Sequence, residues 1–398
     1  MLIRNFTLFL LIILSQPSFS SQILDLGNNL TLSYENGNLN KKTFNGFATD
    51  LSFFENEKLF STIKRAKIDS QIMDNDSIKI NLLSLKGLTI FDEELGIQIN
   101  IENVKITDFG SELFENSTLD SGLSDYQIEN HKNFSFNLSG ISLESNDFDF
   151  KIASIIFPKI QYQSLSSGLS FAKKTTFEMN DFSFTPDPGN IEMLPIAMIL
   201  AAIGKQSFNL DLFAEGKVDD MGLSLQTNSN FNIQLAGAAS IETNLNYLVP
   251  LETFNYFYNN KSSFVEDLQS QNIENFNDFN NEIFIELGKI QLSNVNFRIQ
   301  DMGILNPLLL MYASSASISE EEAVSFIDIS TQSFLSDFIP SNAEKFSQGL
   351  SQFLVNGGFL ELEISPPNPL PLMSIAGLLV MPDLAIEALG VSLEHKNN

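Results

Sequence analysis

The feature that most constrains this chain is a spacing. Apolar residues recur in the pattern apolar-x-apolar-x-x-apolar-x-apolar. It appears at Leu83/Leu85/Leu88/Ile90, Ile99/Ile101/Val104/Ile106 and Phe136/Leu138/Ile141/Leu143, and again at Phe177/Met179/Phe182/Phe184 and Ile290/Leu292/Val295/Phe297. Alternation with period two is the mark of a half-buried strand. The doubled spacer reverses the parity, and each one holds a Gly, Asn or Asp: Lys86-Gly87, Glu102-Asn103, Ser139-Gly140, Asn180-Asp181 and Ser293-Asn294. An extra residue in a long strand makes a β-bulge, which returns the apolar set to one face and increases the twist. A two-residue hairpin would also bring all four apolar residues to one face. The bulge is the preferred reading, because the alternation runs on past the motif at Ile97 and Ile299, and Ile78/Ile80 add a further flip just upstream. Chance recurrence in a chain with 36 Phe is the competing explanation.

Two copies match more closely. The segments Ile99–Ile106 and Ile290–Phe297 lie at a constant offset, and each is soon followed by Asp-apolar-Gly, at Asp108-Phe109-Gly110 and Asp301-Met302-Gly303. A third such tripeptide is Asp220-Met221-Gly222. Asp accepting from a nearby N–H, with Gly free to take positive φ, is turn chemistry, so all three are expected to close strands. An internal duplication is consistent with this pattern. Further strands are expected over Leu30–Tyr34, Phe148–Ile152, Phe208–Ala214, Leu223–Gln226, Phe231–Leu235 and Leu360–Ile364. Asn259–Asn280 reads as a loop or an ill-defined helix.

The last third changes character. Ser319-Glu-Glu-Glu322 has the form of a capping box, with acids suited to a helix N-terminus; a cation site is the sharper alternative. Pro340-Ser341-Asn342-Ala343-Glu344 opens another helix, with Phe346, Leu350, Phe353 and Leu354 on one face and Gly357-Gly358 at its end. The proline run from Pro366 to Pro371 continues neither strand nor helix. The apolar helices expected at Leu194–Ile203 and Leu372–Val380 are too short to cross a membrane and read as buried. A short helix from Pro382, which Asp383 would help to cap, turns Leu384, Ala385, Ala388 and Leu389 inward. The expected fold is mainly β with α additions (α+β): an extended, curved, bulged antiparallel sheet with helices concentrated in the C-terminal third. The expected domains are a signal peptide over 1–20, an N-terminal β-rich half over 21–205 and a C-terminal β-rich half with a helical cap over 206–398.

Residues 1–20 read as an address. Arg4 precedes the apolar run Phe6–Leu14, Pro17 breaks it, and Ser18-Phe19-Ser20 places small residues where a signal peptidase cuts. An uncleaved anchor is the alternative. The expected destination is the periplasm, with the extracellular space second. The chain has no Cys, so no disulfide, thiolate nucleophile or Cys-ligated metal arises. Two His, His131 and His395, leave little room for a metal site, and neither a metal nor another cofactor is expected. A balance of 22 Lys+Arg against 49 Asp+Glu, net −27, argues against nucleic-acid binding, which needs basic clusters.

No nucleophile elbow, P-loop, zinc-protease motif or dinucleotide fingerprint is present. Ser61-Thr-Ile-Lys64 and Ser170-Phe-Ala-Lys173 match S-x-x-K without its partner motifs, so no catalytic residue is assigned. A pair of carboxylates for glycoside chemistry is not singled out among 49 acids.

The leader, the repeated strand motif with Ile99–Ile106 and Ile290–Phe297, the Asp-x-Gly tripeptides and the strand–Pro–helix ending from Gly357-Gly358 through Pro369 together resemble the AsmA-like and YdgA-like β-rich envelope proteins of bacteria. The resemblance is architectural and transfers no functional residue. It implies a long curved sheet with a hydrophobic groove, linked to lipid handling at the cell envelope. Many AsmA-like proteins keep an N-terminal anchor, and the cleavable leader departs from that. The expectation is an exported, non-enzymatic envelope protein that binds lipid or another apolar ligand, with Phe136, Leu138, Phe177, Phe182 and Phe184 as candidate groove residues. Plain core packing is the competing role for each. The alternative protein is a structural or interaction component whose sheet is filled by its own side chains. Its protein partner and oligomeric state are not legible.

Overall fold

The computed structural model describes residues 22–25, 30–39, 45–72, 78–92, 96–110, 134–145, 148–166, 168–260, 281–378 and 380–397. The leader, His131 and most of Asn259–Asn280 lie outside them. The protein is mainly β with α additions, and its strand pairs are antiparallel. It divides into two compact units; among the described residues one runs to Asp187 and the other begins at Pro188.

The first unit contains strands β1 (Gln22–Asp25), β2 (Leu30–Tyr34), β3 (Asn36–Leu39), β4 (Gly46–Glu55), β5 (Lys58–Ile72), β6 (Ile78–Asp92), β7 (Ile97–Gly110), β8 (Ser135–Glu144), β9 (Phe148–Phe157), β10 (Gln161–Ser164) and β11 (Ser170–Pro186). From β4 to β9 each strand pairs with the next, and β9 pairs with β11. β2 and β3 both run along β4. β9 and β10 likewise share β11; Pro158 lies between them and has no N–H for a ladder.

In the first unit the repeated spacing lies inside single strands in every copy, so it marks bulges and not hairpins. The registers show why it recurs. The spacing 2-3-2 reads the same in both directions, so a strand carrying it matches its antiparallel neighbour residue for residue. The first unit has seven copies in register. Those in β6, β7, β8 and β11 are the ones legible above. The others are Gly46/Ala48/Leu51/Phe53 in β4, Ser61/Ile63/Ala66/Ile68 in β5 and Phe150/Ile152/Ile155/Phe157 in β9. They align into four rows across the sheet. One row runs Ala48, Ala66, Leu85, Val104, Leu138, Ile155, Met179; another runs Phe53, Ser61, Ile90, Ile99, Leu143, Phe150, Phe184.

Between the middle two rows one residue per strand falls out of the ladder. In every second strand that residue has positive φ: Asp50 (52°), Gly87 (60°), Gly140 (61°) and Asp181 (50°). The left-handed region admits Gly freely and Asp tolerably, and these four positions hold nothing else. A Cβ added at Gly87 would strike the Lys64 side chain of β5, and one at Gly140 the Glu102 side chain of β7. The intervening strands therefore lay ordinary side chains over the bare glycines. The line of bulges flips all seven strands together, which keeps the apolar residues on one face.

The core of this unit is that face over β2 and β4–β7. Leu83 and Leu85 are fully buried, with Leu51, Phe53, Ile63, Ile80, Leu88 and Val104 close behind. The opposite face carries polar ladders: Thr89 Oγ1 donates to Asn100 Oδ1 at 3.0 Å, Asn103 Nδ2 to Ser139 Oγ at 3.1 Å, and Asn180 Nδ2 to Ser154 Oγ at 3.0 Å. Asp108 departs from its expected turn role. It sits inside β7 with φ 55° and pairs with Lys79 Nζ at 2.6 Å. This is the second bulge, opposite Asn81, and it produces the flip at Ile78/Ile80.

The second unit contains β12 (Phe208–Asp220), β13 (Ser224–Leu235), β14 (Ala239–Pro250), β15 (Gln291–Asp301), β16 (Phe359–Ile364), β17 (Leu370–Pro371) and β18 (Val391–Lys396). The order is β12-β13-β14-β15-β16-β18, with β17 also on β15. The separate strands expected at Leu223–Gln226 and Phe231–Leu235 are one strand, β13. All eight described helices belong to this unit: α1 (Leu194–Ala202), α2 (Leu251–Asn259), α3 (Asn281–Lys289), α4 (Leu305–Ala316), α5 (Glu320–Phe338), α6 (Ala343–Asn356), α7 (Leu372–Leu378) and α8 (Pro382–Leu389). α6 lies on β16 and β18, burying Phe346 and Phe353.

Here the Asp-x-Gly tripeptides act as expected. Asp220 Oδ1 accepts from Gly222 N at 2.8 Å in the β12–β13 turn. Asp301 Oδ1 accepts from Ile304 N and Leu305 N, at 2.9 and 3.1 Å, where β15 gives way to α4. Ser319 and Glu322 form a full capping box at α5. That geometry commits Glu322 to the cap: hydrogen bonds to the Ser319 N–H and hydroxyl hold its carboxyl below the usual range.

Several expectations fail for tertiary reasons. α1 and α7 form but are not buried: only Leu200 of α1 is, and none of α7. Asp383 caps nothing in α8. It accepts from Ser341 and Asn342 at the start of α6, where Asn342 makes no side-chain cap of its own. Leu384 is exposed while Ala385 and Leu389 are buried. Leu370–Pro371 pairs with β15 despite the surrounding prolines. The chain ends in a strand: β18 pairs with β16, and His395 Nε2 lies 2.8 Å from Gly357 O. The closely matched segments bulge at equivalent residues, since Glu102 is skipped in β6–β7 and Ser293 in β14–β15. The seven-strand row pattern does not recur in the second unit.

Candidate functional site

The candidate face lies on β8, β9 and β11. The rows that are sealed over β6 continue here without a charged residue; Ile141 and Leu143 of β8 stay buried, but Phe136, Leu138 and the row side chains of β9 and β11 become half-buried. Ile152 and Ile155 are examples, in the rows of the fully buried Leu88 and Leu85. All five residues expected from sequence lie on this face. Phe136 stacks on Phe157, with ring centroids 5.6 Å apart and planes 7° from parallel. Phe134 joins both at 6.3 and 6.0 Å. Leu138 packs against the sealed core. Phe182 meets Phe150 at 6.1 Å, and Phe184 meets Phe148 at 5.5 Å. Phe177, next to the Glu178–Ile156 pair, continues the row of Phe136 and Phe157.

β9 lies between β8 and β11, so its side chains are the hub of both aromatic groups. Sequence reasoning missed it as a site element. The signal was present, since Phe150/Ile152/Ile155/Phe157 has the 2-3-2 spacing. Its spacer, Ala153-Ser154, holds no Gly, Asn or Asp, because β9 is one of the intervening strands whose skipped residue keeps ordinary φ.

The chemistry of this face is narrow. Among its four rows Ser61, far off on β5, is the one polar side chain. Such a surface can bind by contact and by exclusion of water, and it offers no acid, base or metal ligand. On the neighbouring edge strand β10, burial pushes the Tyr162 phenol above its ordinary range. The two S-x-x-K tetrapeptides fall in extended strands. There residues three apart lie about 10 Å from each other along the chain. Ser61 is buried while Lys64 is exposed, and Ser170 Oγ lies 3.1 Å from Ser164 Oγ. Neither pair forms a nucleophile–base contact.

The second unit has a charged cluster on its polar face. Glu361 accepts from Asn296 Nδ2 at 2.8 Å and from Lys396 Nζ at 2.9 Å, and Arg298 lies 4.0 Å from the centroid of the Phe359 ring. The Asn296 bond, then Lys396, hold the Glu361 carboxyl below the usual range. Each charge here is already engaged by a neighbouring strand, so the cluster ties β15, β16 and β18 together.

A family described as "Uncharacterized protein" matches residues 230–396, whose described part belongs to the second unit. No curated protein matches the chain.

Proposed function

We propose that this is an exported, non-enzymatic protein of the cell envelope that binds a lipid acyl chain or a similar apolar ligand on the β8–β9–β11 face. The observation that carries the reading is the change in burial along continuous apolar rows. Residues sealed over β6 have half-open counterparts on β9 and β11, and these are lined by paired phenylalanines. Half-buried aromatic surface is a costly thing to leave in water; covering about 100 Å² of it is worth about 2.5 kcal/mol. The leader-like residues 1–20 support export, and the architectural resemblance to AsmA-like and YdgA-like proteins supports a role with lipid.

Mass spectrometry of an organic extract of the purified protein tests this directly, followed by titration of the delipidated protein with a fluorescent fatty acid. Co-purified lipid and saturable binding are expected. Phe150→Glu and Phe182→Glu should each weaken binding by about tenfold or more, since a carboxylate would then sit in the apolar face. An extract free of lipid with no saturable binding overturns the proposal. It would favour the second reading, a structural component with a self-filled sheet. That reading has its own support in the complete burial of Leu83 and Leu85 by neighbouring side chains.

A further inference from the structure

The helices of the second unit expose more apolar surface than packing explains. The sequence has no charged residue between Glu192 and Lys205, and α1 fills most of that interval. A helix apolar all round belongs in a core or a membrane. Yet Leu200 alone of α1 is buried, while Leu194, Ile196, Met198 and Ile199 are 42%, 40%, 56% and 37% exposed. At 3.6 residues per turn these four span an arc of about 200°. α1 packs on α4, and α4 packs on α5, where Tyr312 and Phe326 meet at 6.4 Å between ring centroids and are themselves exposed.

We infer that α1, with the adjoining α4–α5 surface, docks on the interfacial region of an uncharged or zwitterionic lipid bilayer. Three observations choose this occupant. A folded partner presents one face and covers one side of a helix, whereas exposure over about 200° is satisfied by a medium that surrounds it. Charge selects the kind of lipid: a chain of net −27 with no basic residue in the docking helix is repelled by anionic headgroups and by a second copy of itself. Length selects the depth. Nine residues of helix reach about 14 Å, against about 30 Å of hydrocarbon, so α1 can enter one leaflet and cannot cross.

The test is flotation of the full chain with phosphatidylcholine vesicles, repeated with phosphatidylglycerol added. Wild-type protein should float with phosphatidylcholine and less so as the anionic lipid increases. The double variant Met198→Glu/Ile199→Glu should lower the bound fraction by about tenfold or more while keeping the wild-type thermal midpoint, because both side chains are exposed. The inference is independent of the acyl-binding face: Phe182→Glu, directed at that face, should leave flotation unchanged. Absence of wild-type flotation overturns the inference. So does equal flotation of the double variant, which would place binding in residues 1–20 or elsewhere. A wild-type dimer that the double variant converts to monomer in light scattering also overturns it, by assigning the surface to a second copy.

Discussion

At the scale of single residues, the sheet of the first unit depends on four backbone positions. Asp50, Gly87, Gly140 and Asp181 take positive φ on alternate strands, and the residue type at each follows from the steric cost of that region. Gly140→Ala should lower stability by about 1–2 kcal/mol, from the left-handed penalty plus the clash with Glu102, read as a reduced midpoint in denaturant. A second residue-scale prediction concerns pH. Glu361 is held below its ordinary pKa, chiefly by the Asn296 hydrogen bond and then by Lys396. A depressed carboxyl contributes stability that is present above the unfolded-state value and is lost as pH falls through the folded-state value. The thermal midpoint should therefore fall on acidification between about pH 5 and pH 2, and more steeply in wild type than in Glu361→Gln, which has no such proton to gain.

At the scale of elements, the 2-3-2 spacing is the organising unit. It is palindromic, so one rule serves strands running both ways. Deleting Gly140 would turn it into strict alternation in β8 while both neighbours keep the extra residue, so Ile141 and Leu143 would slip by one position and lose their match with Ile101 and Ile152 or turn to the polar face to keep it. That deletion should abolish the cooperative unfolding transition, whereas Gly140→Ala retains it. Circular dichroism of the two variants distinguishes a register effect from a local one. Much of this element was legible, because β6, β7, β8 and β11 pair Leu, Ile or Phe rows with a Gly, Asn or Asp spacer. β4 and β5 were not, because Gly46, Ala48, Ser61 and Ala66 are too small to register as an apolar pattern. β18 was missed for another reason. Its alternation, Val391, Leu393, His395, is short and follows a helix, and pairing with β16 is what makes it a strand.

At the scale of the whole molecule, charge and apolar surface are divided between faces. The chain carries a net charge of −27, and the four apolar rows contribute none of it. Self-repulsion of such a chain destabilises the compact state and is screened by salt. The thermal midpoint should rise between about 10 mM and 500 mM sodium chloride, where the Debye length falls from about 30 Å to a few ångströms. An unchanged or falling midpoint would show that local ion pairs such as Lys79–Asp108 outweigh the net charge.

The amino-acid sequence by itself determined which residues share a face. Strand periodicity and the left-handed preference of Gly and Asp are local properties, and both are written in adjacent residues. It likewise determined that α1 would be a helix without charge. Only the tertiary structure decided which apolar residues are sealed and which stay open. Leu85 and Ile155 stand in one row, and nothing in their sequence surroundings separates them. Burial depends on which distant elements come to lie over a face, and that is a property of the assembled chain: it closed the face over β6, left it half-open over β9, and left α1 facing water.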